Sequence, residues 1–410
     1  MFIADFHIHS KYSRATSKNM SVPDLIRWTK YKGVDLLGTG DFTHHLWLQE
    51  LKHHLQEHQD KGLLYGEGIY FILSAEVSNI FSQNGKGYRV HNIIMVPSFS
   101  LAYEVNKALS HYGNLASDGR PILGMSCKLL AKELAKISQD IMLVPAHIWT
   151  PWFSVFGSNS GFNSLEEAFG EHLDFVTALE TGLSSDPAMN WRLSQLDKFS
   201  LISNSDSHSP QRIGREANVF ECNLDYNEIK KALKTKDTDK FLYTIEFFPE
   251  EGKYHYDGHR NCDIRFHPEK SKEHNNICPV CKRPLTRGVL SRVDELADRQ
   301  EGFVPKGSIG FKSLVPLDEI IAEVRGVGRA SKTVEREYID LVREFHSEFN
   351  LLVNVSENDL LSHVDPIIAE GIKRVRDKQI NIMPGFDGEY GTIKIFDKGK
   401  DPEKPQMTLF

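Results

Sequence analysis

Cysteine is scarce in this chain: Cys127, Cys222, Cys262, Cys278 and Cys281 are the only five among 410 residues. A small odd number excludes a disulfide framework, and three of the five crowd into one short stretch, which points to metal instead. Long apolar runs are also missing, so no segment reads as a membrane span. The opening Met1-Phe2-Ile3-Ala4-Asp5 enters a strand-like run without the basic and then apolar regions of a signal peptide. A reducing, cytoplasmic setting without a membrane partner is the expectation. Positive charge is not in excess either, with 49 Lys and Arg against 56 Asp and Glu for a net −7. That excludes a uniformly basic nucleic-acid coat but leaves room for a local basic face. Internal repeats and low-complexity blocks are absent.

What is present is the composition of a globular protein, 40% hydrophobic and 26% charged, with a length that favours two or three domains. Up to about residue 221, strand-like runs at 2–6, 34–38, 70–73, 90–96, 141–145, 175–179 and 201–204 alternate with helical patterns such as 22–32 and 129–138. Such alternation predicts an α/β fold of βα units around a largely parallel sheet. About seven strands suit a barrel better than a small open sheet. The expected organisation is a barrel over 1–222 and a connecting helical segment over 223–254. A Cys/His module over 255–300, a helical domain over 301–396 and a polar tail over 397–410 follow.

The metal-type residues fall where such a fold gathers them. His7 and His9 close the first strand, Glu76 follows Leu73, His147 follows Val144-Pro145, and Asp206 and His208 follow Ile202. Strand C-termini of a parallel βα barrel share one face, where active sites sit. An i, i+2 pair such as His7 and His9 points to one side of a strand, so both imidazoles can reach one ion. A carboxylate such as Glu76 can bridge two ions, and a two-metal site suits phosphoester hydrolysis.

These motifs, namely Asp5-Phe6-His7-Ile8-His9-Ser10, Thr39-Gly40-Asp41, Glu76, His91, Pro145-Ala146-His147 and Ser205-Asp206-Ser207-His208, resemble the polymerase and histidinol phosphatase (PHP) superfamily of metal-dependent phosphoesterases. The resemblance implies a distorted seven-stranded (β/α)7 barrel with two or three divalent ions (Zn, Mn, Mg or Fe). It places His7, His9, Glu76 and Asp206 on one ion, Glu76, His91 and His147 on a second, and Asp41 and His208 on a third. Ser13-Arg14-Ala15 stands where relatives carry a His, and Asp41 stands where they have another, so the third site departs most. Glu180 is a candidate supporting carboxylate, and Trp149, Trp152 and Phe153 are candidates for stacking or wedging against bases.

Cys278-Pro279-Val280-Cys281 is a zinc half-site, completed by Cys262 and by His259, with His267 as rival. Four protein ligands make a structural zinc, not a catalytic one. Arg325-Gly326-Val327-Gly328-Arg329, followed by Lys332, resembles the hairpin of helix-hairpin-helix DNA-binding motifs. The last five residues, Gln406-Met407-Thr408-Leu409-Phe410, resemble a sliding-clamp-binding peptide, with Gln406, Leu409 and Phe410 as anchors.

Barrel, Cys/His module and helical part follow in the order of the endonuclease Q family of repair nucleases. Shared motifs include Gly182-Leu183-Ser184-Ser185-Asp186-Pro187 and Pro384-Gly385-Phe386-Asp387-Gly388. The resemblance implies a metal-activated hydroxide cutting DNA on the 5′ side of uracil, hypoxanthine, xanthine or an abasic site. His7, His9, Glu76, Asp206 and His208 would be catalytic, with damaged DNA and a sliding clamp as partners. A small-molecule phosphomonoesterase would explain the barrel but not the remainder, and a non-catalytic DNA-bound scaffold would not need the ligand set.

Overall fold

The computed structural model describes residues 1–396. All seven strand-like runs form strands: β1 (Phe2–Asp5), β2 (Leu36–Gly38), β3 (Ile69–Gln83), β4 (Lys86–Val96), β5 (Met142–Pro145), β6 (Ala178–Glu180) and β7 (Ser200–Ile202). The helical patterns become α1 (Val22–Lys32) and α2 (Cys127–Ile137). Pro23 and Asp24 lie in the first turn of α1, Lys30 and Lys32 in its last, and Gly33 closes it in the left-handed region.

β1, β2 and β3 run parallel, as βα units require, but β3–β4 and β4–β5 are antiparallel. The expectation of a largely parallel sheet fails there for a local reason. β3 runs far past Leu73 and turns at Asn84-Gly85, both at positive φ (53° and 78°), into a hairpin. An Asn-Gly pair between two apolar runs is the strongest short-range hairpin signal, because both central residues of the turn need left-handed backbone. Glu76 therefore lies within a long strand rather than after a short one. β6 and β7 pair in parallel with each other. One bridge, Leu143 to Val176, ties them toward β5, and another, Ile8 to Ser207, ties the chain after β7 to the end of β1. The seven strands share a core of Phe6, Leu36, Ile72, Ile93, Val144, Ala178 and Ile202, all fully buried.

The sheet does not stop at residue 222. β8 (Ala217–Phe220) pairs antiparallel with β1, and β9 (Phe241–Glu246) pairs with β8, so the segment expected as a helical connection holds both α3 (Tyr226–Thr235) and a strand. After the Cys/His module, built on β10 (Asp257–His259), β11 (Ile264–Phe266) and α4 (Val289–Leu296), β12 (Gly310–Ser313) adds in parallel to β9. The remainder is α5 (Leu317–Arg325), α6 (Lys332–Glu344), α7 (Glu357–His363), α8 (Pro366–Arg376) and the hairpin of β13 (Asn381–Met383) with β14 (Thr392–Lys394). The C-terminal part is thus joined to the barrel by a shared sheet. No helix of the described residues is long and apolar enough to cross a membrane.

Candidate metal centre

Three overlapping groups of ligand atoms converge at one end of the barrel: His7, His9 and Glu76; Glu76, His91 and His147; and His9, Asp206 and His208. Glu76 is central and fully buried. Its Oε2 faces His9 Nε2 at 3.2 Å and His7 Nε2 at 3.6 Å, and its Oε1 faces His91 Nδ1 at 2.7 Å and His147 Nε2 at 2.9 Å. Asp206 Oδ1 stands 3.1 Å from His9 Nε2 and 3.8 Å from His7 Nε2. His7 Nε2, His9 Nε2 and Asp206 Oδ1 are buried without a hydrogen-bond partner. Orphaned polar atoms carry a cost of about 1–3 kcal/mol each, so three that aim at one another need a shared partner, and a divalent ion fits that donor set.

The far sides of the same side chains are fixed. His7 Nδ1 is 3.0 Å from Glu180 Oε1, and Glu180 also accepts the His147 backbone N–H at 2.7 Å and the Asn204 amide at 2.9 Å. Asp41 Oδ1 lies 3.1 Å from His9 Nδ1, while its Oδ2 accepts from Ser10 N (2.7 Å), Ser10 Oγ (2.6 Å) and Ser13 Oγ (2.9 Å). A carboxylate behind a ligating imidazole fixes its tautomer and raises its basicity. Asp41 therefore stands behind His9 and joins none of the ligand groups, contrary to its expected place on a third ion. His208 does reach the group of His9 and Asp206. Ser13, the first residue of the Ser13-Arg14-Ala15 stretch, helps hold Asp41.

Three of these residues sit in left-handed backbone: Asp41 (φ 49°), His147 (φ 30°) and Asp206 (φ 45°). Such strain in non-glycine residues costs on the order of 1–3 kcal/mol each and clusters at functional sites. Gly182 makes the His147 turn possible, since a Cβ there would lie 2.4 Å from His147 Cβ. Charge follows from burial and neighbours. Burial opposes ionisation of Glu76, but His91, Arg120 and His7 outweigh it and hold the carboxyl well below its ordinary range. Asp206 is likewise held far down, burial being overcome by His9 and His7. Burial pushes His91 down to about 4, against the pull of the Glu76 carboxylate. The same carboxylates overcome burial at His7, His9 and His147 and raise all three above the ordinary imidazole value, so these rings give up a proton when an ion binds.

A second group holds His259, Cys262, Cys278 and Cys281. His267 is not in it; its side chain is 43% exposed, 3.9 Å from Glu269. Three thiolates and one imidazole make a closed tetrahedral set. Farther on, the turn between α5 and α6 carries Gly326 at φ 66° and Ser331 as the cap of α6, with open space around Gly328. Lys332 is exposed. The Arg325 guanidinium is held by Glu337 and by Asp365 at 3.0 Å, so it staples α5 to α6 and α8. Arg329 is half exposed and reaches Glu319 at 2.9 Å. Gln406, Leu409 and Phe410 lie outside the described residues.

A model named MJ0043 C-terminal domain matches residues 316–379. An uncharacterised Methanocaldococcus jannaschii protein, MJ0043, is 34% identical over 269 residues, which is 64% of this chain but only 33% of that longer protein. An uncharacterised Bacillus subtilis protein, YqxK, is 29% identical over 95% of this chain and 98% of its own length. The lesion-specific endonuclease PfuEndoQ from Pyrococcus furiosus superposes with a TM-score of 0.86 at 34% identity, covering 96% of this chain and 95% of that one. The chain belongs to the endonuclease Q family. Another endonuclease Q, solved on a 27-mer duplex with an abasic lesion at its active site, matches at 32% identity and TM-score 0.86 over 99% of this chain and 100% of that one.

For a member of this nuclease family, three residues at the centre went unnoticed in the sequence. Arg120 donates from Nη1 to Glu76 Oε2 at 3.1 Å, from a loop that carries no strand or motif signal. Arg215 lies beside Asp206 and donates from Nε to the Ser205 carbonyl. Glu251 has a buried, unpartnered Oε1, and its carboxyl is pushed up to about 8, by burial first and by Glu319 and Glu250 next. Arg215 and Glu251 line a cavity of about 710 Å³ that also holds Asp206 and His208 and whose walls are drawn from distant segments between Thr150 and Ile393, Tyr254, Arg329 and Tyr390 among them. Contacts assembled this way have no signature in the sequence near either residue.

Proposed function

We propose that the chain nicks DNA on the 5′ side of a deaminated base (uracil, hypoxanthine or xanthine) or an abasic site. The observation that carries this reading is a set of orphaned ligand atoms that reaches, through Asp206, the lining of a cavity sized for a nucleotide, in a chain that matches an endonuclease Q held on abasic DNA along its whole length. His7, His9, Glu76 and Asp206 would hold one ion, Glu76, His91 and His147 a second, and His9, Asp206 and His208 a third. Bound there, divalent ions supply Lewis acidity and an activated water for phosphodiester hydrolysis. Glu180 and Asp41 keep His7 and His9 aimed at the centre through their Nδ1 atoms. Arg120 and Arg215 add positive charge where the phosphodiester would lie.

His259, Cys262, Cys278 and Cys281 would hold a structural zinc. The turn at Gly326 and Gly328, with Arg329 and Lys332, would contact the DNA backbone, and Gln406, Leu409 and Phe410 would tether the enzyme to a sliding clamp. A damaged base pairs poorly, so moving it into the cavity costs less than moving a normal one.

The test is a labelled duplex with one uracil or hypoxanthine, incubated with Mg²⁺, Mn²⁺ or Zn²⁺. One nick immediately 5′ of the lesion is expected. Asp206→Ala should abolish it and leave duplex binding largely intact. Uncut duplex in every metal would overturn the reading.

A further inference from the structure

Three neighbouring aromatics, Trp149, Trp152 and Phe153, follow the His147 turn, and the structure gives them different tasks. Trp149 is 1% exposed and donates its indole N–H to Asn190 Oδ1 at 2.8 Å, so it is core. Phe153 packs on the His91 ring at 4.7 Å, with the Arg89 guanidinium 5.7 Å from its own ring, so it walls the metal centre. Trp152 alone is 39% exposed. It stands edge-to-face on Tyr254, ring centroids 5.5 Å apart, and Tyr254 lines the cavity above Asp206 and His208. On its other side Trp152 lines a groove of about 510 Å³ formed with Phe81, Tyr88, Arg89 and Ser160.

An exposed indole on a floppy loop would signify little, but this turn is locked. Thr150 Oγ1 donates to the Trp152 carbonyl at 2.9 Å, Ser154 Oγ to the Thr150 carbonyl at 2.6 Å, and Asn159 N–H to the Pro151 carbonyl at 3.0 Å. Phe153 is held at φ 61°, its N–H donating to Ser160 Oγ at 3.3 Å. The backbone that carries the indole is therefore held in place, with the groove on one side of the ring and Tyr254, from the cavity lining, on the other. Cationic side chains flank both sides: Arg215 and Lys253 in the cavity, Arg89 in the groove.

We infer that Trp152 is the wedge of this enzyme: it fills the stack vacated by the extruded nucleotide while the groove beside Arg89 and Tyr88 receives the continuing DNA. Apolar side chains inserted between base steps offset the loss of stacking, because the flanking base stacks on the inserted ring instead. The inference rests on the proposed nuclease reading.

The experiment compares two uracil substrates, one fully paired and one with the uracil in a three-nucleotide bubble, for wild type, Trp152→Ala and Trp152→Phe. A wedge matters only where a stack must be opened. Trp152→Ala is expected to lose at least tenfold in kcat/KM on the paired duplex and less than threefold on the bubble, with Trp152→Phe intermediate on the former. In an Asp206→Ala background, saturating binding should change the fluorescence of a 2-aminopurine next to the lesion, and adding Trp152→Ala should remove that change. Equal loss on both substrates, or no loss on the paired one, would overturn the wedge alone. Failure of wild type to nick either substrate would overturn the nuclease reading and the wedge with it.

Discussion

Each imidazole on the β1 side of the centre has one nitrogen aimed inward and the other engaged by a carboxylate: Glu180 behind His7 and Asp41 behind His9. Removing the charge behind a ligand typically costs about 10–100-fold in metal affinity or activity. Glu180→Gln and Asp41→Asn should therefore each weaken divalent-ion binding by that order in calorimetric titration, with the fold unchanged by circular dichroism. An unaltered titration for Asp41→Asn would show that the Ser13 hydroxyl, 3.2 Å from His9 Nδ1, orients His9 without the charge. A different pair, Glu216 and Glu246, is fully buried where β8 and β9 meet, each with an unpartnered Oε2. Burial and the neighbouring Asp186 push Glu246 up to about 8, against the hydroxyls of Ser203, Thr244 and Thr181, and burial with Glu246 raises Glu216. A carboxyl whose folded value is raised stabilises fully below its ordinary value and loses that contribution as pH climbs through the folded value. Tm should thus fall as pH rises toward 9, by the equivalent of a few kcal/mol, and Glu246→Gln should flatten the decline. A parallel decline in wild type and variant would rule the residue out as its source.

Strands show why some of this architecture was legible and some was not. Runs such as 2–6 and 141–145 are short, apolar and bounded, so their strand character was plain, and the ligands at their ends followed from barrel logic. Phe241–Glu246 and Gly310–Ser313 alternate only weakly between polar and apolar residues; β9 is a strand because β8 offers an edge, and β12 because β9 offers the next one. Asp41 was placed as a ligand because motif position says nothing of which way a carboxylate faces. The Cys/His module depends least on the surrounding core: its own apolar cluster is Phe266, Cys278 and Leu285, with Cys262 and Ile264 beside it. So small a cluster cannot hold a fold without a staple. Cys278→Ser, or a zinc chelator, should increase hydrogen exchange over β10 and β11 before it affects the barrel strands. Simultaneous loss of protection in both would mean that the module and barrel unfold as one unit.

The whole molecule is arranged so that the cavity exists only when the C-terminal part is docked, since its walls draw on Thr150, Arg215, Tyr254, Arg329 and Tyr390 together. Docking rests on polar as well as apolar contacts. Arg212 reaches both Asp318 and Glu319 at 3.1 Å. Deeper in, Glu348 takes Lys32 from α1, the Tyr338 hydroxyl at 2.6 Å and the Leu317 N–H at 3.0 Å, and every one of these side chains is buried. Breaking a buried pair by removing one partner strands the other charge at a cost of about 3–5 kcal/mol. Glu348→Ala leaves Lys32 in that position, and Glu348→Gln, which keeps one carboxamide oxygen to accept from either the Tyr338 hydroxyl or the Leu317 N–H, should cost less. All the candidate ligands of the catalytic ions lie between His7 and His208, so the barrel of Glu348→Ala should bind metal as before. Its Tm should nevertheless drop by several degrees, and nicking of lesion duplex should fall with it, as the cavity loses the walls supplied by α5 and the β13–β14 hairpin. Metal binding preserved with cleavage reduced would assign the C-terminal part to substrate. Cleavage preserved despite the lower Tm would mean that the barrel holds the lesion by itself.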